Sequence, residues 1–281
     1  MRSIAHLGPA GTYAEMAALT YARHQTPPTE FKLLAFRSIP ITLQAVATGE
    51  ADVAVVPVEN SVEGSVSATL DTLWQLEPLQ IRQALILPIA HALISTAEQL
   101  DQVRVVQSHP QALAQCQTWL QTYLPQAQLI AMNSTSEALQ HIQDQPGMAA
   151  IASRRAAELY QLPILAFPIN DSPGNCTRFW VVSPQPSPGG AMTSLALSLR
   201  HNEPGALVQP LQVLSERHLN MSRIESRPTK RSLGEYLFFI DLEANAQSPE
   251  VQAALERIEA LTEHLRFLGS YDVVDLSRSA T

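Results

Sequence analysis

As far as residue 183 the chain alternates short apolar runs with longer segments whose apolar positions recur at helical spacing. The runs at 3–7, 31–36, 52–58, 103–107, 127–132, 148–152 and 177–182 are predicted strands. Between two of them, Ile39, Leu43, Val46 and Ala47 fall at i, i+4, i+7 and i+8, the face of a helix. Alternation of this kind predicts an α/β fold with largely parallel strands. The pattern also repeats: at a shift of 96 (129 minus 33), Leu33, Ala35, Ser38, Leu43, Gln44 and Ala54 fall on Leu129, Ala131, Ser134, Leu139, Gln140 and Ala150. Both copies read strand, Ser-led helix, strand. Two similar lobes follow, about 1–80 plus 170–183 and 81–169, joined by crossing segments near 80–95 and 165–180. A cleft lies between them, walled by the polar loops at the strand ends.

The Pro/Ser/Gly-rich stretch at 184–192 reads as a linker. Beyond it, 193–281 reads β-α-β-β-α-β, with strands at 193–200, 221–228, 235–244 and near 267–274 and helices near 206–218 and 249–266. Val251, Ala254, Leu255, Ile258, Leu261 and Leu265 form the stripe of the second helix, with Ser248 as its cap and Pro249 in its first position. That order predicts a ferredoxin-like domain.

Composition narrows the class. The 281 residues are 46% apolar and 16% charged with net charge −8, those of an ordinary globular protein. No basic cluster suggests nucleic acid, no apolar run suggests a membrane span, and the N-terminus lacks a signal-peptide pattern. Two cysteines, Cys116 and Cys176, make neither a disulfide framework nor a metal set. The expectation is a cytoplasmic protein with no metal and no cofactor.

Four loops carry chemistry. In GPAGTYAE (8–15), Thr12 and Glu15 have the spacing of a capping box, and the glycines could open an anion cradle at a helix N-terminus. In VPVENSVEGSV (56–66), Glu59, Asn60 and Ser61 follow directly on a buried strand. In SHPQALAQC (108–116), Pro110 suits a helix first turn, with Ser108 or His109 as its cap and Gln111 left pointing from the helix mouth. His109 reads as a cap or wall residue, and Arg154-Arg155 as a solvated helix start. In NCTRFWVV (175–182), Thr177, Arg178 and Phe179 stand at the lip of a strand, and Arg178 could bind a carboxylate bidentately. Hydroxyls, amides and one arginine suit a site that orients a reactive anion better than one that builds a strong nucleophile.

These four motifs, in this order and spacing, resemble the prephenate dehydratase family, and NEPGAL (202–207) and ESRP (225–228) resemble its ACT regulatory domain. The resemblance runs the length of the chain. It implies a two-lobed catalytic domain of periplasmic-binding-protein type II-like architecture at 1–183 and an ACT domain at 193–281. The form expected is the monofunctional one, without a chorismate mutase domain. It also implies loss of carbon dioxide and water from prephenate to give phenylpyruvate in phenylalanine biosynthesis. By resemblance, Thr177 meets the leaving hydroxyl, Arg178 a substrate carboxylate, and Asn60 and Gln111 orient the substrate. Thr12, Glu59, Ser61, Ser108 and Phe179 complete the contacts, with Glu59 either protonated or turned away to fix Arg178. L-Phenylalanine as effector would lie between paired ACT domains of a homodimer or homotetramer, at Asn202, Gly205, Ala206, Leu207, Glu225, Ser226, Arg227 and Pro228. Two departures from the family stand out: Ala14, where many members carry a hydroxyl, and Pro210 near the start of the first tail helix. Arogenate dehydratase, or a non-catalytic two-lobed anion sensor, are the alternative readings.

Overall fold

A computed structural model of the chain describes residues 2–25, 27, 30–135, 137–142 and 145–277. The first lobe contains β1 (Arg2–Leu7), α1 (Tyr13–Arg23), β2 (Phe31–Phe36), α2 (Ile39–Ala47), β3 (Val53–Asn60), β4 (Gly64–Ser65), α3 (Ser67–Gln75) and β5 (Gln80–Pro88). The second contains β6 (His91–Ser95), β7 (Val105–Ser108), α4 (Pro110–Ala114), α5 (Gln117–Tyr123), β8 (Gln128–Ala131), a 3-10 turn at Glu137–His141, β9 (Met148–Ser153), α6 (Arg154–Tyr160) and β10 (Ile164–Ala166). The chain then returns to the first lobe as β11 (Cys176–Ser183).

The two lobes share one topology. β1 lies between β2 and β3, all parallel, and β7 lies between β8 and β9 in the same sense. A strand supplied after each crossing completes the pattern: β11 runs antiparallel beside β3, and β6 antiparallel beside β9. The segments that align at a shift of 96 therefore occupy equivalent sheet positions. Their helices differ. The first copy builds α2, capped by Ser38, whereas the second builds the 3-10 turn, where Ser134 Oγ accepts from the Glu137 amide.

Much of the two expected crossing segments is strand. β5 pairs with β11 in the first sheet, so the passage between lobes follows Pro88 and not residue 80. Ile81, Ala84, Leu85 and Leu87 are buried because β5 sits between β11 and a strand of the tail. The sheet is mixed, not largely parallel, because β11 is antiparallel to both its neighbours.

The tail follows with β12 (Met192–Ser198), α7 (Val208–Glu216), β13 (Met221–Pro228), β14 (Tyr236–Leu242), α8 (Pro249–Leu261) and β15 (His264–Asp275). Its antiparallel sheet has the order β13-β14-β12-β15. Leu195, Leu197, Ile240 and Leu242 meet α7 and α8 on one face. On the other, Ala196, Leu237 and Phe239 share a core with Trp180, Val182 and Ile81 of the first lobe. Pro210 stands in the first turn of α7, where its missing N–H costs nothing.

The last strand is longer than its sequence pattern suggests. α8 ends at Leu261, and Leu265, counted in the helical stripe, pairs with Leu197 as part of β15. The first part of β15 pairs with β12, and its end runs parallel to β5. The sheets of the tail and of the first lobe are thereby one sheet. Gly269 (φ +143) permits the join, because a Cβ there would lie 2.4 Å from the Ile81 carbonyl oxygen. Among the described residues, no helix is long and apolar enough to cross a membrane.

Candidate active site

The C-terminal ends of β1, β3 and β7 meet at the interlobe cleft, whose cavity measures about 480 Å³. Backbone geometry shapes its entrance. Gly11 (φ +83) turns the chain into α1 in the left-handed region. Thr12 Oγ1 then accepts from the Glu15 amide, while the Glu15 carboxylate accepts from the Gly11 N–H at 2.7 Å. Across the cleft, Ser153 Oγ donates to the Gly11 carbonyl, and Arg155 approaches Glu15 at 3.9 Å. Arg154 lies over the Phe167 ring. Both arginines therefore have partners beyond solvent.

The Thr-Arg-Phe motif splits across the two faces of its strand. β11 pairs with β3 so that Thr177 is opposite Asn60 and Arg178 is opposite Glu59. Alternation turns Thr177, Phe179 and Asn60 into the cleft. Arg178 and Glu59 are turned to the other face, where they pair at 3.5 Å and Arg178 Nη1 donates to Asp241 of the tail domain at 3.1 Å. Assignment of Arg178 to a substrate carboxylate is thus corrected, since its side chain is spent on the domain interface. Glu59 is turned away with it.

Two expected contacts are also spent on the scaffold. Ser108 Oγ, fully buried, donates to the Ile151 carbonyl. Ser61 Oγ accepts from the Cys176 amide and donates to Asn175 Oδ1. Neither borders the cleft. Thr12, Asn60, Gln111, Thr177 and Phe179 do, as does Ala14. His109 is the cap of α4, its Nδ1 accepting from the Gln111 amide.

A hydrogen-bond chain with a readable direction ends on Thr177. Asn60 Oδ1 accepts from the amides of Val62 and Glu63, which orients the side-chain amide. Asn60 Nδ2 then donates to Thr177 Oγ1 and to Asn175 Oδ1, each at 2.9 Å, and to the Cys176 carbonyl at 3.3 Å. Asn175 Nδ2 donates to Gln115 Oε1, while Gln115 Nε2 donates to Glu63. Gln115 Oε1 lies 3.0 Å from His91 Nε2, so that nitrogen carries the proton, and Nδ1 faces the Tyr13 hydroxyl. Burial pulls His91 below its ordinary pKa against the Gln115 hydrogen bond, and burial raises Tyr13. Both are neutral. Thr177 Oγ1, already accepting from Asn60, has no protein acceptor for its own proton among the described residues. That proton is free to point into the cleft.

Sequence reasoning passed over His91, Gln115, Asn175, Tyr13 and Arg37. Gln115 lies four residues beyond Gln111, so one helix face carries both. Arg37 is the cleft's one lining Arg or Lys among the described residues, and it precedes the Ser38 cap as Asn133 precedes Ser134, a shift of 96 that puts both on the cleft wall. The repeat held that signal. On the tail domain, Asn202 borders a cavity of about 720 Å³ and Ala206 a smaller one of about 210 Å³. Gly205 and Leu207 lie in the turn into α7, and Ser226 and Pro228 are exposed on β13. Glu225 and Arg227 reach the catalytic domain: Glu225 accepts from Ser65 Oγ, and Arg227 holds Asp71 bidentately. No group of three or more His, Cys, Asp or Glu gathers as a metal centre among the described residues.

Two α/β lobes around a cleft of amides and hydroxyls, with a βαββαβ domain built into the same sheet, define an anion-handling enzyme that carries its own regulatory module. The family model for prephenate dehydratase matches residues 4–187 and that for the ACT domain residues 193–260. The chain belongs to the prephenate dehydratase family, and it is a carbon–oxygen lyase forming phenylpyruvate from prephenate. It is 39% identical over 279 residues to prephenate dehydratase of Amycolatopsis methanolica, covering 98% of this chain and 90% of the relative. A crystal structure of prephenate dehydratase from Arthrobacter aurescens in complex with L-Phe is 34% identical with a TM-score of 0.85, covering 96% of this chain and 90% of that one. A solved structure described as GqqA, a quorum-quenching acylase, is 28% identical with a TM-score of 0.83, covering 96% of this chain and 97% of that one.

Proposed function

We propose that the cleft orients prephenate so that Thr177 donates to the C4 hydroxyl as it leaves. The observation that carries this reading is the direction of the Asn60–Thr177 hydrogen bond, which leaves the threonine proton for the ligand. The electron pair of the ring–carboxylate bond moves into the ring as carbon dioxide departs, and the C4–O bond breaks with its pair leaving on oxygen as hydroxide, which takes a proton from solvent. Aromatisation supplies most of the driving force. A threonine hydroxyl is a weak acid, so its part is a hydrogen bond to developing hydroxide, strongest in the transition state.

Arg37 takes the place Arg178 held in the sequence reading and pairs with a substrate carboxylate. The N-termini of α1 and α2 border the same cavity and favour negative charge. Asn60 and Gln111 orient the substrate from opposite lobes, and Phe179 packs its ring. Arg37→Ala is expected to raise KM for prephenate at least about tenfold, the scale of a lost charge-assisted hydrogen bond. An unchanged KM removes Arg37 from the substrate.

The tail binds L-phenylalanine and lowers turnover, a reading supported by the ACT match and by the L-Phe named with the Arthrobacter structure. Paired tails would make a homodimer or homotetramer working in the cytoplasm. Likeness to an acylase structure does not extend to the chemistry. Among the described residues no serine or cysteine hydrogen-bonds a histidine, so the nucleophile–base pair of amide hydrolysis lacks support. The deciding experiment is turnover on prephenate and arogenate, each with and without L-phenylalanine. Phenylpyruvate formation suppressed by phenylalanine supports enzyme and sensor. Faster release of phenylalanine from arogenate moves the substrate assignment, and no turnover by folded protein overturns it.

A further inference from the structure

Asp241 on β14 is 1% exposed and serves two arginines at once. Its Oδ2 accepts from Arg178 Nη1 at 3.1 Å, and Arg223 Nε lies 3.1 Å from the same oxygen. The second contact is an ion pair without hydrogen-bond alignment. None of the three guanidinium nitrogens of Arg223 has a hydrogen-bond acceptor among the described residues, although the side chain is 7% exposed and sits over the Trp180 ring. Buried donors left without acceptors are costly, and their presence in a native interface calls for a reason. Arg178, meanwhile, has a second carboxylate beside it in its own domain, Glu59 at 3.5 Å.

These groups form a contest for one carboxylate. Ser194 donates to Asp241 Oδ1 and is itself hydrogen-bonded to Tyr271, so the carboxylate is fixed while the arginines are the exchangeable parts. One arginine adjoins Thr177 on β11. The other stands on β13, two residues before Glu225, on the strand that also grips Ser65 and Asp71. Ser65 in turn pairs across from Glu59 on β4. Turning Arg223 squarely onto Asp241 would give its guanidinium a hydrogen-bond acceptor and release Arg178 to Glu59.

We propose that Asp241 is a positioning residue of the regulatory domain that holds Thr177 in register through Arg178, and that Arg223 competes for it in the inhibited arrangement. The competition is a two-state element of the kind that packed interfaces support. The regulatory half rests on the reading of the tail as a phenylalanine sensor.

The test uses the full chain, with steady-state kinetics on prephenate and calorimetric titration with L-phenylalanine. Asp241→Asn keeps the acceptor for Ser194 and loses the charge; kcat is expected to fall at least about tenfold, the scale of a small misplacement, with KM little changed. Arg223→Met keeps the bulk over Trp180 and removes the competitor. It is expected to keep parental kcat and to bind phenylalanine, yet to lose inhibition at least about fivefold, the lower end of ordinary allosteric coupling. Parental kcat in Asp241→Asn overturns the positioning role. Arg223→Met inhibited like the parent while phenylalanine binds overturns the competition, even where Asp241→Asn does not fold. A parent that neither binds nor responds to phenylalanine overturns the sensor reading instead and leaves Asp241 to be judged on kcat.

Discussion

Thr177→Val is expected to give a folded protein whose kcat on prephenate is at least about a hundredfold lower, the scale of losing one hydrogen-bond donor aimed at charge that develops in the transition state. Valine keeps the shape of threonine and removes only the hydroxyl. Asn60 Nδ2 retains Asn175 Oδ1 and the Cys176 carbonyl as acceptors, so the fold loses one hydrogen bond, about 1 kcal/mol. Substrate should still bind, because the lost contact is made most strongly with the departing hydroxyl and not with the ground state. Steady-state kinetics beside a thermal melt separates the two effects. Turnover close to that of the parent would remove Thr177 from the chemistry.

Asn60→Asp should be as damaging to kcat, at least about a hundredfold, for a reason that lies in direction rather than shape. One carboxylate oxygen can still accept from the amides of Val62 and Glu63. The other faces Thr177 Oγ1 and Asn175 Oδ1, where the native amide donates to both. An acceptor there turns the Thr177 proton back toward the introduced carboxylate and away from the cleft. The new charge also stands near a dianionic substrate, so KM should rise as well, unlike in Thr177→Val. The inverted donor costs about 1–3 kcal/mol of stability, visible as a lower melting temperature. A kcat within about tenfold of the parent would show that Asn60 does not set the hydroxyl's direction.

Local pattern was informative where one face of an element meets one environment. Strands β1, β2, β3, β7, β8, β9 and β11 were each legible to within two residues because buried strands are short apolar runs between turn residues. β5 and β6 were read as crossings because their burial depends on neighbours far away in sequence, β11 and β9. The Ser38 and Thr12 caps were legible for the same local reason, their partners being three residues away. The corrections to Arg178, Glu59, Ser61 and Ser108 share a cause. Each lies within or beside a motif that borders the cleft, but strand alternation or a neighbouring carbonyl turns its polar group elsewhere.

By itself the sequence determined the α/β class, the repeat and its shift, the tail's element order, and the loops that hold Thr12, Asn60, Gln111 and Thr177. These follow from spacing along the chain and from short-range hydrogen bonding. Tertiary structure alone decided which side of β11 faces the cleft and that Arg178 lies on the other side. It also decided that Asn175, Gln115 and His91 continue the hydrogen-bond chain from Asn60, and that β15 binds the regulatory sheet to the catalytic one. Partners such as Asn60 and Asn175 are 115 residues apart in the chain, and Arg178 and Asp241 are 63 apart. No local pattern encodes such pairs, because the face a side chain presents is fixed only once both strands have found their register.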